Sequence, residues 1–173
     1  EKRPHRPRKG GIPLDPAVTC CFSGHRPVRL PWGRNEADPR CLALKARLDQ
    51  ALEEAHRQGF RHFLCGMAQG ADLYFCQAVL DLRQRHPEVT LEAAIPFAGQ
   101  ADHWSAADQR RRMTLLDQCP GCMNRRNRYM VDRSSLLIAV YDGIPQGGTL
   151  NTLSYAMGKG VRTVILPVVS PAQ

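Results

Sequence analysis

Short apolar runs alternate along the chain with longer segments in which apolar residues recur every three or four positions. Continuous apolar runs are typical of strands buried on both faces, and the longer spacing is typical of amphipathic helices. The runs predict strands at 17–22, 60–65, 89–95, 122–124, 136–140 and 162–166. The spaced segments predict helices at 41–58, 71–85, 102–117 and 125–133, and from the turn at 147 to about 158.

The alternation of strands and helices predicts the fold class. Strand–helix–strand units indicate an α/β protein, a Rossmann-like three-layer fold with a mostly parallel sheet. Ligands of such sheets bind outside the carboxyl ends of the strands, where strand order reverses. Glycine turns follow three predicted strands, at Gly24, at 66–70 and at 147–148. We therefore expect the three turns to meet at one edge of the sheet and form a binding site.

The turn after the run 136–140 is the centre of this prediction. Gly147 and Gly148 stand immediately before the apolar positions of the next helix. Amides at a helix start have no intrahelical partner, and the helix dipole is positive there, so glycines let an anion approach closely. The turn predicts a phosphate site. The alternative is a plain turn in which Thr149 caps the helix.

Composition and charge narrow the function classes. With 173 residues, of which 43% are hydrophobic and 23% charged, the chain has the composition of one globular domain. No apolar run approaches the length of a membrane span, and the proline-rich, charged start does not resemble a signal peptide, so a cytoplasmic protein without a membrane partner is expected. Half of the net charge of +8 lies in the first ten residues, and we predict residues 1–16 to be a disordered basic tail before one domain at 17–173.

The cysteines predict thiols rather than a disulfide framework. Seven is an odd number, and most lie in predicted strands and helices. Cys119 and Cys122 form a single CxxC pair without a second close pair, so a tight turn is favoured over a metal site. We therefore predict neither a metal nor a cofactor.

Several polar side chains follow the predicted strand ends. His25 titrates near neutrality and could act as a donor or base, or simply bond to backbone. Asp72 could accept hydrogen bonds from a ribose or stabilise the start of its helix. Asp142 is the best-placed carboxylate for hydrolysis, although an Asp before glycine more often forms a turn. His25 and Asp142 are thus weak catalytic candidates.

An arginine completes the set. Arg126 could grip a phosphate through two parallel hydrogen bonds, or lie in solvent. The predicted binding residues are Gly24, His25, Arg26, Gly66, Met67, Ala68, Gly70, Asp72, Arg126, Gly147, Gly148 and Thr149. The polar start of the helix predicted at 102–117, including Trp104, is left outside the site.

With these residues in hand, the chain resembles the SLOG superfamily, and within it the YpsA-type branch. The resemblance covers about Val18 to Pro167. Its motifs are SGHRP at 23–27, CGMAQGAD at 65–72, PFAGQ at 96–100, NRYMVDRS at 127–134 and YDGIPQGGT at 141–149. It implies a pocket for a nucleotide-derived small molecule at the strand ends, in a sensor or regulatory protein.

A better-known relative suggests an enzyme. The segment 123–130 resembles the Met-His-x-Arg-Lys-x-x-Met pattern of LOG-type phosphoribohydrolases, which cleave nucleoside monophosphates to base and ribose 5-phosphate. Arg126 falls on the pattern's arginine, whereas Asn124 and Asn127 replace its histidine and lysine. Thr152 stands where the PGGxGTxxE turn has its glutamate, which puts the hydrolysis in doubt but leaves phosphate binding. Hydrolysis is therefore the alternative function, and a homodimer is expected from this resemblance.

A second relative suggests nucleic acid. The segment 66–72 resembles the SGxAxGID motif of the DprA group, which binds single-stranded DNA. Single-strand binding usually combines basic grooves with stacking aromatics, and only 6% of this chain is aromatic. DNA binding is thus a second, less favoured alternative.

Overall fold

The structure, a computed structural model, describes residues 14–97, 99–119, 121–124 and 127–169. These residues form six strands and five helices, with short 3-10 turns at Pro16–Val18 and Pro27–Arg29. The strands are β1 (Thr19–Gly24), β2 (His62–Cys65), β3 (Thr90–Ile95), β4 (Gly121–Asn124), β5 (Leu136–Tyr141) and β6 (Arg162–Pro167). The helices are α1 (Pro39–Arg57), α2 (Ala71–Arg85), α3 (Ala106–Asp117), α4 (Asn127–Asp132) and α5 (Gly148–Gly158).

The six strands form one sheet in the order β4-β3-β2-β1-β5-β6, and every neighbouring pair is parallel. This confirms the predicted α/β, Rossmann-like class. Strand order reverses at β1, which lies between β2 and β5. Gly24 of β1 is in register with Val140 of β5, so the carboxyl ends of these two strands lie side by side. The reversal point is where such sheets bind ligands.

The core has two parts because successive side chains of a strand point to opposite faces of the sheet. Cys20 and Phe22 belong to the larger cluster, which α1 and α2 cover, and Phe22 stacks on Phe75 of α2 with ring centroids 4.4 Å apart. Cys21 belongs to the smaller cluster with residues of α4 and α5, such as Met130. Burial on both faces explains the continuous apolar runs of the strands.

Helix α3 begins later than the pattern predicted. It starts at Ala106 rather than near 102, because the Ser105 hydroxyl accepts the Asp108 amide and caps the helix there. The Gln109 side chain donates to the Ala101 carbonyl and holds the preceding turn against the helix. Trp104, in that turn, packs against the larger core cluster.

Residues 1–13 of the predicted tail lie outside the described residues, as do 125 and 126 at the predicted start of α4. Leu14 packs against the smaller core cluster, and Asp15 accepts the Ala17 amide and caps the first 3-10 turn. None of the described helices is long and apolar enough to cross a membrane.

Two glycines with positive φ provide a test of the packing between the β1 and β2 loops. Gly70 precedes α2 with φ 82° and ψ −128°, and a Cβ there would lie 2.7 Å from the His25 carbonyl oxygen. Gly160 has φ 72° but nothing within 4 Å of an added Cβ. We expect Gly70→Ala to lower the free energy of unfolding by about 3 kcal/mol and Gly160→Ala by about 1 kcal/mol. Urea unfolding measures both, and equal losses would contradict this packing.

Candidate functional site

A cavity of about 360 Å³ lies at the carboxyl ends of the strands. Its walls come from the loops that follow β1, β2, β3 and β5, together with Met130 of α4. The predicted residues among its walls are Gly24, His25, Arg26, Gly66, Ala68, Asp72, Gly147, Gly148 and Thr149. The fold therefore brings the three glycine turns together.

Two predicted residues have other positions, and a third is not described. Met67 has a fully buried side chain in the larger core cluster, where its sulfur lies 3.1 Å from the Cys76 thiol. Gly70 serves as the N-cap of α2 and packs against the backbone of the β1 loop. Arg126 lies outside the described residues.

The N-terminus of α5 offers unused donors to this cavity. Gly147 is its N-cap, with φ 97° and without a side-chain cap. The first intrahelical bond runs from the Asn151 amide to the Gly147 carbonyl. For the amides of Gly148 and Thr149, the structure shows no acceptor among the described residues. The positive end of α5 therefore faces the cavity with free N–H groups.

The glycine turn after β2 differs from that of α5, because two of the amides around it are already bonded to the protein. The Ala68 amide donates to Asp72 Oδ2 at 3.0 Å, and the Ala71 amide donates to the His25 carbonyl at 3.1 Å. The group that this wall offers to a ligand is therefore chiefly the carboxyl of Asp72.

His25 joins the β1 loop to the β5 loop. It is 3% exposed, and its Nε2 lies 3.0 Å from the Asp142 amide nitrogen while Nδ1 lies 3.2 Å from the Thr149 hydroxyl. The same Nε2 lies 3.1 Å from Asp142 Oδ1, so it either accepts the Asp142 amide proton or donates to the carboxylate, and Nδ1 takes the complementary role toward the Thr149 hydroxyl. Burial lowers the pKa of His25 and outweighs the opposing effect of Asp142. These contacts favour the backbone-bonded interpretation of His25 over a free base.

Asp142 is occupied by the protein in the same way. Its Oδ1 accepts the Ile144 amide at 3.0 Å, and both oxygens accept Arg29 Nη2, at 3.1 and 2.9 Å. Burial raises the pKa of Asp142, but the Ile144 hydrogen bond, the contact with His25 and the charge of Arg29 outweigh it, so the pKa lies below its usual value. Asp142 is thus an ionised, turn-forming residue whose two oxygens both bond within the protein, and it is not among the residues that line the cavity.

Arg29 is a cavity residue that the sequence analysis missed. Besides its bond to Asp142, its Nη1 donates to the Gln146 carbonyl at 2.6 Å, which ties the β1 loop to the turn before α5. The guanidinium lies directly against Gly147, where a Cβ would collide with it. Its loop has no periodic pattern, and the only signal was a basic residue close behind the strand end.

Asp72 is the carboxyl of the opposite wall. It is buried, and burial raises its pKa to about 7 despite hydrogen bonds from the Ala68 and Gly24 amides and the nearby charge of Arg26. At neutral pH about half of these carboxyls carry a proton. Asp72 can therefore donate a hydrogen bond as well as accept one, and it repels an anion less than an ordinary aspartate.

The charge balance of the cavity favours an anion. Arg26 lies exposed at its rim, and the structure shows no hydrogen bond or ion pair for its guanidinium among the described residues. The N-terminus of α5 adds positive charge, the charge of Arg29 is balanced by Asp142, and the carboxyl of the facing Asp72 is protonated in about half of the molecules. A phosphate matches this arrangement of donors.

A separate group of potential metal ligands lies at the other end of the sheet. His56, His86 and Glu88 place one ligand atom each within 4.8 Å of the others. His56 Nε2 already bonds Glu88 at 2.6 Å, and the Arg61 guanidinium lies 3.5 Å from the same carboxylate. The group is thus compensated by its own ion pairs. In the predicted CxxC turn, the Cys119 thiol donates to the Leu115 carbonyl, whereas the Cys122 side chain lies outside the described residues.

Comparisons with known proteins agree with this architecture. A family model described as the YspA SLOG family matches residues 20–160. The chain is 32% identical over 143 residues to the uncharacterised SPbeta prophage-derived protein YoqJ of Bacillus subtilis, covering 69% of this chain and 83% of that protein. It is 24% identical over 112 residues to a UPF0398 protein of Halalkalibacterium halodurans, covering 57% of this chain and 59% of that protein. Against a UPF0398 protein of Bacillus cereus it is 21% identical over 151 residues, which cover 80% and 82% of the two chains.

Proposed function

Because the chain belongs to the YspA SLOG family, we propose that it binds a phosphorylated, nucleotide-derived small molecule as a sensor or regulatory protein. The observation that carries the proposal is the N-terminus of α5, whose Gly148 and Thr149 amides face the cavity without an acceptor among the described residues. Such amides bind phosphate in many α/β proteins. The two weak catalytic candidates, His25 and Asp142, are both engaged in holding the loops, which favours binding over turnover.

N-glycosidic hydrolysis is the second candidate function, and Asp72 is the residue that favours it. A buried carboxyl with a pKa of about 7 has the property that a general acid needs at neutral pH, and Asp72 lines the cavity. In an N-glycosidic hydrolase such an acid would protonate the departing base while water attacks the sugar carbon. Thr152, however, stands where the LOG-type hydrolases have their glutamate.

One set of titrations tests both candidates. Calorimetry with ribose 5-phosphate, AMP, GMP, CMP and UMP measures binding, and chromatography of the same incubations measures free base. We expect binding without base release. If the wild type releases base and Asp72→Asn does not, the protein is a hydrolase rather than a sensor. If none of the compounds binds, the proposed phosphate site is wrong.

Substitution of Arg26 tests the phosphate site through a measured change in affinity. Because its guanidinium is exposed at the rim and forms no hydrogen bond or ion pair with the described residues, Arg26→Met should lower the unfolding midpoint only slightly, through the lost attraction to Asp72. Loss of a charge-assisted bond to phosphate should weaken ribose 5-phosphate binding about tenfold. Arg110→Met removes an exposed arginine of α3 outside the cavity lining and serves as the matched control. Equal affinities of the two variants would remove Arg26 from the site.

A further inference from the structure

Two exposed apolar side chains line the cavity. Phe97 follows β3 and is 59% exposed, and Val28, in the 3-10 turn after β1, is 89% exposed. Most large apolar residues of the described chain are buried in the two core clusters. Pro96 and Met130 join Phe97 in the cavity wall. One part of the cavity therefore offers an apolar surface that includes an aromatic ring.

Phe97 and the anion site lie at opposite ends of the cavity. The free amides follow β5, whereas Phe97 follows β3, and β1 and β2 lie between these two strands. Three spacings between neighbouring strands amount to about 14 Å. Asp72, at the start of α2, lines the stretch between the two ends. The order along the edge is thus phosphate donors, then a carboxyl, then an aromatic ring.

This order matches the parts of a mononucleotide. We infer that the cavity holds a nucleoside 5′-monophosphate along the sheet edge, with its phosphate on α5, its ribose at Asp72 and its base stacked on Phe97. The inference rests on the proposed function and deepens it. A half-protonated carboxyl can bond the ribose hydroxyls without repelling the phosphate. A volume of about 360 Å³ is near the lower end for small-molecule sites, which suits one nucleotide rather than a dinucleotide.

Phe97→Ala tests the contact with the base separately from the contact with the phosphate. We expect the wild type to bind at least one of AMP, GMP, CMP and UMP more tightly than ribose 5-phosphate. The Ala variant should lose about tenfold in affinity for that nucleotide, because base–aromatic stacking contributes this much. Its affinity for ribose 5-phosphate should not change. Phe97→Tyr keeps the ring and should keep the affinity, and Met113→Ala removes an equally exposed apolar side chain of α3 outside the cavity lining.

The outcomes distinguish a failure of the base platform, which is the stacking of the base on Phe97, from a failure of the phosphate site on α5. If ribose 5-phosphate binds but every nucleotide binds no more tightly, or if Phe97→Ala weakens both kinds of ligand equally, the base platform is wrong and the phosphate site stands. If neither ribose 5-phosphate nor any monophosphate binds, the proposed function fails and the platform fails with it. Urea unfolding of each variant confirms that the fold is intact, as expected for substitution of an exposed side chain.

Discussion

Gly148→Asp should abolish the binding of ribose 5-phosphate and nucleoside monophosphates while leaving the protein as stable as the wild type or slightly more so. An added Cβ at Gly148 meets nothing within 4 Å, and the residue does not have a positive φ. A carboxylate in the first turn interacts favourably with the helix dipole, by about 0.5 kcal/mol. The same carboxylate stands where the phosphate would bind, so we expect affinity to fall by about 100-fold or more.

Gly148→Asn is the matched control, because it adds nearly the same volume without the charge. The predicted order of affinities is wild type, then Gly148→Asn, then Gly148→Asp, whereas the three urea midpoints should nearly coincide. Calorimetry and urea unfolding measure the two properties separately. A Gly148→Asp protein that binds ribose 5-phosphate as tightly as the wild type would place the anion away from α5.

The elements were predictable because each has a strong local signal. Helix α2 has the predicted bounds, 71–85, since a glycine turn precedes it and Pro87 follows it. Strand β5 is a continuous apolar run because both of its faces are covered. The start of α3 was missed because the Asp102 segment is as polar as a helix start, and only the bond from the Asp108 amide to Ser105 shows where the cap lies.

The site was predictable only in outline. Glycine turns after strands indicate where loops meet, but not which atoms are already bonded. The bond from the Asp142 amide to His25 joins residues 117 positions apart, and no spacing in the sequence predicts it. Arg29 and Phe97 lie in loops without periodicity, and their importance follows from the sheet order that brings these loops together.

Asp72→Asn should change the pH dependence of stability strongly. Burial raises the pKa of Asp72 to about 7 in the folded protein, whereas in the unfolded chain it is about 4. Between these two values the folded state holds a proton that the unfolded state has lost. Raising the pH through this window therefore lowers the free energy of unfolding, and the stability present below pH 4 is lost above pH 7. Across this window the free energy of unfolding falls by about 4 kcal/mol.

The measurement is the difference in unfolding free energy between Asp72→Asn and the wild type, taken from urea curves at pH 4 to 8. Asparagine keeps one oxygen for the Ala68 amide and never ionises, so the difference should shift steadily in favour of the variant as pH rises. Asp108→Asn is the control. Burial raises the pKa of Asp108, but its bonds to Ser105, Arg34 and Gln69 outweigh this and hold the pKa below the usual value. Asp108 is then ionised above pH 5 in both the folded and the unfolded protein, so the difference in unfolding free energy between Asp108→Asn and the wild type should stay flat from pH 5 to 8. If the difference for Asp72→Asn were flat as well, Asp72 would be ionised in the folded protein.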